Sequence, residues 1–365
     1  EIKALTHLET LHMYFNTIGG EFPAAVRGMK SLKSIALMQT GLVGPIPEWI
    51  GEMDQLETLA LGNNQLDGMV PLTISNLRNL KILGLDDNSG LTGNINRFKG
   101  LSALEALYLE DNAFTGQLPS GGNIWPKLVE LDVSNNIIDE SVPSSLLNHK
   151  ELVVLDLHKN RLTGTFPDDI FENTNLKVLA LHENAIGGTL PDRLPFLKNL
   201  EHFDLSFNAL TGTIPDDVSQ LTSMRYWSTT NNRFSAQPMP DMSTWSELQD
   251  VAMKNNNLSG PLPAWLGGLG KLQMIDLDSN KLTGSIPSWF GLLPNLHAML
   301  LNRNELTGSI PPQLANLKKL DLLLLDGNSI TGNADVICEA STGIKPTLFT
   351  SDCYPGQQGQ TPEIE

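Results

Sequence analysis

An asparagine returns in step through almost the whole chain, at Asn16, Asn64, Asn88, Asn112, Asn136, Asn160, Asn184, Asn208, Asn232, Asn256, Asn280, Asn304 and Asn328, with Thr40 in the one remaining place. These fourteen positions are spaced by 24 residues without a slip, which leaves no room for an inserted domain. A period in the range of roughly 20 to 50 residues is the signature of a solenoid, in which each copy covers the apolar face of its neighbour.

Within each copy the residues five and three before this position are apolar and the one between them varies, as in Leu59/Leu61, Leu107/Leu109, Leu155/Leu157, Leu179/Leu181 and Ile275/Leu277. That alternation reads as a short strand with one buried face. Where the strand ends the backbone turns inward and leaves donors and acceptors facing the core. A side-chain amide carries both complements, so a stacked Asn row can satisfy these groups copy after copy, and Thr40 can do so only in part. Four residues later comes Gly (Gly20, Gly44, Gly68, Gly116, Gly164 and onward), the residue that tolerates positive φ. Three further on comes Pro (Pro23, Pro47, Pro71, Pro119 and onward), which suits the start of a short helical segment. Copy four departs from this rule, since NSGLTGNIN has an extra residue and no Pro, and it reads as a small bulge.

The resulting pattern L..L..L.L..N.L.G.IP, with LTGTIP at 210–215 and LTGSIP at 282–287 and 306–311, resembles the plant-type leucine-rich repeat. The resemblance covers residues 1–333. It implies an α/β solenoid, a right-handed horseshoe or superhelix with a parallel concave sheet, a second small strand from the G.IP segment and short 3-10 or helical convex segments. Proteins of this kind serve as receptor ectodomains or secreted inhibitors, and bind proteins, peptides or glycans. The paired-cysteine N-terminal cap usual in plant examples is missing from residues 1–16. Residues 334–365 stand where a C-terminal cap is expected, and the only two cysteines, Cys338 and Cys353, are assigned there to one disulfide.

Composition narrows the partners. With 24 basic against 41 acidic residues the formal charge is -17, which argues against nucleic acid and anionic lipid, because both need a basic face. No stretch of about 18 or more apolar residues crosses a membrane, and the first residues, EIKALTHLETL, lack the regions of a signal peptide. Because the chain opens inside a repeat and stops abruptly at TPEIE, it reads as a mature or trimmed piece; the resemblance implies a secreted protein or the outer side of a plasma membrane. Asn257-Leu258-Ser259 is one acceptor sequence for N-glycosylation.

Once the skeleton is assigned to packing, ligand information is left to the variable strand positions four, two and one before each Asn. Three groups emerge there. Asp86, Asp87, Glu110 and Asp111 form an acidic group on adjacent copies, with Tyr108 and Asp132 beside them, readable as a solvated face, a seat for a basic partner or a calcium site. His158 and His182 follow each other in one column, flanked by Asp156, Lys159 and Glu183, and read as plain surface, a ligand contact or a metal site. Asp204, Phe207 and Tyr226 lie about copy ten, where Trp227 and Thr229 replace the usual leucines; stacking on a sugar or anchoring a peptide competes there with simple repacking. Ala298, Leu300, Leu322 and Leu324 would be exposed on the same face, which suggests a protein contact or cover by the tail near Ile344 and Leu348.

No nucleophile elbow, phosphate loop or HE..H motif is present, so the expectation is a non-enzymatic recognition module without a cofactor. The alternative is a secreted inhibitor of a polysaccharide-degrading enzyme. A co-receptor or a second copy of the chain fits either expectation.

Overall fold

A computed structural model describes residues 4–121, 124–147, 149–166, 173–332 and 348–350. Cys338, Cys353 and Ile344 lie outside these residues. The chain divides into two compact units, Glu1–Leu197 and Lys198–Glu365.

Each of the fourteen copies contributes one three-residue strand, six to four residues before its ladder position. The first unit holds eight, from Thr10–His12 to Val178–Ala180, and the second holds His202–Asp204 and its successors to Leu322–Leu324. Neighbours pair in parallel in a 24-residue register, as in Leu107↔Leu131↔Leu155 and Trp227↔Val251↔Ile275. The middle residue of each strand points inward and is buried: Leu59, Leu83, Leu107, Leu131 and Leu155 are all 0% exposed. A smaller parallel sheet follows on the far side of each ladder turn, six strands in the first unit and four in the second.

The ladder turns are satisfied as the amide chemistry requires. Asn88, fully buried, donates from Nδ2 to the carbonyls of Leu85 and Asp86 in its own copy and of Leu61 in the copy before, while Oδ1 accepts from Leu66 N. Asn136 and Asn280 repeat the arrangement. Thr40 covers only part of it, donating from Oγ1 to Leu37 O at 2.7 Å and to Asn64 Oδ1. The Gly position takes positive φ, from 72° at Gly68 to 101° at Gly332, and Pro47, Pro71, Pro263 and Pro287 cap 3-10 segments.

Two findings differ from the expectations. The residue before each ladder position is in the left-handed region in every copy, with φ between 48° at Asp87 and 69° at Gly327. Lys159, Glu183 and Phe207 therefore belong to the turn that ends the strand and not to the strand row. Leu348–Thr350, expected as cover, pairs beside Leu322–Leu324 as one more parallel strand. Copy four shows its extra residue as a shifted register, with Gly90 opposite Asp67 and Thr92 opposite Ala113. Asn94 stands there in place of Pro, and its side chain caps Asn96 N.

Candidate functional site

Side chains six, four and two before each ladder position alternate with the buried ones and form the outer face of the main sheet. In the first unit this brings together a polar row across copies five to eight. Tyr108 Oη donates to Glu130. Asp132 Oδ1 accepts from Ser134 N at 3.0 Å and Oγ at 2.7 Å, and Asp156 Oδ1 accepts from His158 N at 3.1 Å and Nδ1 at 2.6 Å. The His158 and His182 rings lie face to face, centroids 4.2 Å apart and 9° between planes. Lys159 and Glu183, at the turn, form an exposed ion pair at 3.8 Å.

The aspartates have a local duty that was not foreseen. In both units an Asp four before the ladder accepts the N–H two residues on, at Asp132, Asp156, Asp204 and Asp276. The side chain thus holds a backbone donor where the strand hydrogen-bonding stops. Glu130 was also missed, although period-two alternation places it on the face beside Asp132.

Burial dominates the electrostatics. It pushes the Glu110 carboxyl up to about 8, helped by the charges of Asp132 and Asp86, and one buried Glu110 oxygen has no hydrogen-bond partner. Burial and then the Asp156 charge raise Asp132. The hydrogen bond from His158 to Asp156 raises the imidazole above its usual value, against burial. Native Glu110 binds its proton more tightly than the unfolded chain, so its contribution falls as pH rises from 4.5 towards 8. His158, with a raised value, contributes most below 6.5 and loses that contribution above it. Urea unfolding should show Glu110→Gln more stable than the parent at pH 8, by about 1 kcal/mol once solvent screening is allowed for, and equal to it at pH 4. An equal difference at both values would mean that folding leaves the proton affinity of Glu110 unchanged.

The four acidic residues proposed for calcium do not form one cluster. Asp86 and Glu110 belong to the sheet face, and Asp86 occupies the space left open by Gly62, where a Cβ would stand 2.2 Å from its Oδ2. Asp87 and Asp111 sit at the turn and are taken up by Asn63 and Asn135. Among the described residues no group of three or more His, Cys, Asp or Glu is arranged to hold a metal ion, His158 and His182 included.

In the second unit His202 and Tyr226 stack at 4.3 Å and 5°, and Tyr226 Oη donates to Asp204 Oδ2 at 3.3 Å. Phe207 projects from its turn, 53% exposed, whereas Trp227 is fully buried as a core residue. A further cluster escaped notice: Asp278, whose side chain is 1% exposed, accepts from Lys254 Nζ at 2.8 Å and from Arg303 Nε at 2.8 Å. Burial alone would raise that carboxyl, but the hydrogen bonds from Arg303, Lys254 and Ser279 hold it below the usual range. Lys254 and Asp278 were visible as neighbours of opposite charge in one column. At the glycosylation triplet, Asn257 Nδ2 donates to Phe234 O at 2.8 Å, so the acceptor nitrogen is engaged between copies.

Comparison with known proteins follows the same lines. Family models described as leucine rich repeat match residues 54–114, 127–149 and 151–173, and the leucine-rich repeat domain of EGF-like domain-containing protein ComC matches 197–292. No curated protein sequence matches. Among solved structures the chain is similar to the plant peptide hormone receptor RGFR1 in complex with RGF2, at 31% identity over 91% of this chain and 57% of that one, TM-score 0.79. It is similar to PEPR1 in the PEPR1–AtPEP1 structure, at 30% identity over 98% and 50%, TM-score 0.89. It also resembles the ectodomain of the Arabidopsis thaliana membrane receptor kinase GASSHO1/SCHENGEN3 with CASPARIAN STRIP INTEGRITY FACTOR 2, at 32% identity over 94% and 44%, TM-score 0.80. The chain spans about half the length of these receptors. Among the described residues no helix is long and apolar enough to cross a membrane.

Proposed function

Because the chain belongs to the leucine-rich repeat proteins, with repeats of the plant receptor type, we propose that it is a non-catalytic extracellular recognition module that binds a peptide on the outer face of its main sheet. The observation that carries this reading is the row in the first unit formed by Tyr108, Glu130, Asp132, Asp156, His158 and His182. Its side chains are held by one another and by the backbone before any ligand arrives. Preorganised groups lose little entropy on binding, which suits them to a short flexible partner.

The row is rich in carboxylates and the chain carries -17, so the fitting peptide bears basic side chains. The structural relatives support a peptide over other ligands, since one of those named above is a plant peptide hormone receptor in complex with RGF2. No described group favours inhibition of a polysaccharide-degrading enzyme.

A peptide array probed with the whole chain, followed by surface plasmon resonance, tests the proposal. The pair Asp132→Asn and Asp156→Asn retains the oxygens that cap Ser134 N and His158 N while removing the charges. It should weaken a basic peptide hit by about tenfold or more, with affinity falling as salt is added. Binding unchanged by the pair would place the ligand elsewhere.

A further inference from the structure

The left-handed turn that ends each strand builds a second surface, separate from the sheet face. In copies three to six its residues are Asn63, Asp87, Asp111 and Asn135, and they line a groove of about 580 Å³ with Ser89 and Asn112. A second groove of about 400 Å³ continues it to copy one, sharing Asn63 and ending at Phe15. Left-handed φ favours Asn and Asp, yet Lys159, Glu183, Phe207 and Arg303 hold the same conformation, so the backbone does not dictate this run.

The hydrogen bonding along the groove has one sense. Asn63 Nδ2 donates to Asp87 Oδ2 at 2.9 Å, and Asn135 Nδ2 donates to Asp111 Oδ1. A carboxylate cannot donate, so both amides have their nitrogens turned inward along the row and their oxygens left to accept. Asn112 Oδ1 also lacks a partner, but it is buried behind the groove and is not one of the acceptors offered to a ligand. The inserted residue of copy four explains it: Asn88 and Asn136 receive the N–H 22 residues earlier, but for Asn112 that position is Gly90, displaced by the insertion. The groove therefore presents a line of acceptors to a ligand that brings donors.

We propose that this groove binds a neutral, extended oligosaccharide. Hydroxyl groups supply the donors without a net charge. Successive acceptors stand one strand apart, about 4.8 Å, close to the rise of one hexose in an extended chain, so consecutive sugars meet consecutive copies. Phe15, 70% exposed and braced edge-on by Tyr14 at 5.6 Å, offers a flat apolar ring for the C–H face of a terminal sugar. Asp87 and Asp111 repel a uronic acid, which excludes acidic polysaccharide. This surface is independent of the peptide row, and either can fail without the other.

Isothermal titration calorimetry of the full chain tests the proposal with cellohexaose, xylohexaose, hexagalacturonate and spermidine. At least one neutral hexasaccharide should bind, and shorter oligomers should bind progressively more weakly. Asp111→Ala and Asn135→Ala should each weaken it by about tenfold, while Asp87→Asn, which keeps an acceptor, should stay within about threefold. Urea unfolding confirms that each variant is folded, and peptide binding serves as an internal control. Absence of heat with both neutral hexasaccharides at millimolar concentration overturns the proposal. So does equal binding of hexagalacturonate, binding of spermidine alone, or alanine variants that bind as the parent does.

Discussion

Asn88→Ala should be among the most damaging single substitutions in the first unit, costing about 4 kcal/mol in urea unfolding. Alanine removes three donated bonds and one accepted bond at a residue that is 0% exposed. The N–H of Leu66 would be left buried without a partner, which costs about 1 to 3 kcal/mol. The carbonyls of Leu61, Leu85 and Asp86 each lose one bond but keep those from Asn64 Nδ2, Asn112 Nδ2 and Asn63 N, so each adds only about 0.5 to 1 kcal/mol. Copy two shows what a partial substitute achieves: Thr40 still reaches Leu37 O, and Asn64 Nδ2 reaches the same oxygen at 2.8 Å. Asn88→Thr should accordingly lose about half as much. Hydrogen exchange at Leu66 N–H locates the effect, because that amide should lose its protection in Asn88→Ala. A loss below about 1 kcal/mol with Leu66 still protected would mean that the ladder is not what holds the turn.

What the sequence made legible is what each copy must repeat. The inward leucines, the Asn row, the positive-φ glycines and the capping prolines all answer a demand that recurs at every turn, so fourteen copies make each demand visible. The left-handed residue before the ladder recurs just as strictly but left no mark, since Phe15, Gln39, Lys159, Glu183 and Arg303 all adopt it. A conformation imposed by hydrogen bonding on both sides does not need a preferred residue type. The site was read in part: His158 and His182 were placed side by side from their common column, while Glu130 was passed over because the strand begins one position earlier than supposed. The capping aspartates could have been recognised, as Asp-x-Ser stands at 132–134 and again at 204–206. The strand Leu348–Thr350 could not, since it falls outside the 24-residue phase that gave every other strand.

Copy ten supplies the second large effect, and there the informative result is a pair of substitutions. Trp227 takes a leucine position in the second unit, fully buried, stacked on Phe203 at 4.4 Å and tilted against Trp245 at 5.2 Å. Two residues on, Thr229 takes the other leucine position, also fully buried, and is smaller than leucine. A large residue beside a small one keeps the core volume near that of two leucines, the kind of compensation that cores tolerate. It leaves polar atoms behind, however: neither Trp227 Nε1 nor Thr229 Oγ1 has a hydrogen-bond partner. Trp227→Ala should then cost about 3 to 5 kcal/mol, as expected for an emptied aromatic site. Trp227→Leu should cost about 2 kcal/mol from the cavity left beside Thr229, and Thr229→Leu a similar amount from crowding against the indole. The double substitution to leucine restores the volume and removes both orphaned polar groups, so it should be at least as stable as the parent. That outcome is a coupling of roughly 3 kcal/mol or more between two residues that act on the same space. Costs that simply add in the double variant would show that Trp227 and Thr229 do not compensate each other, and that Trp227 is held by Phe203 and Trp245 alone.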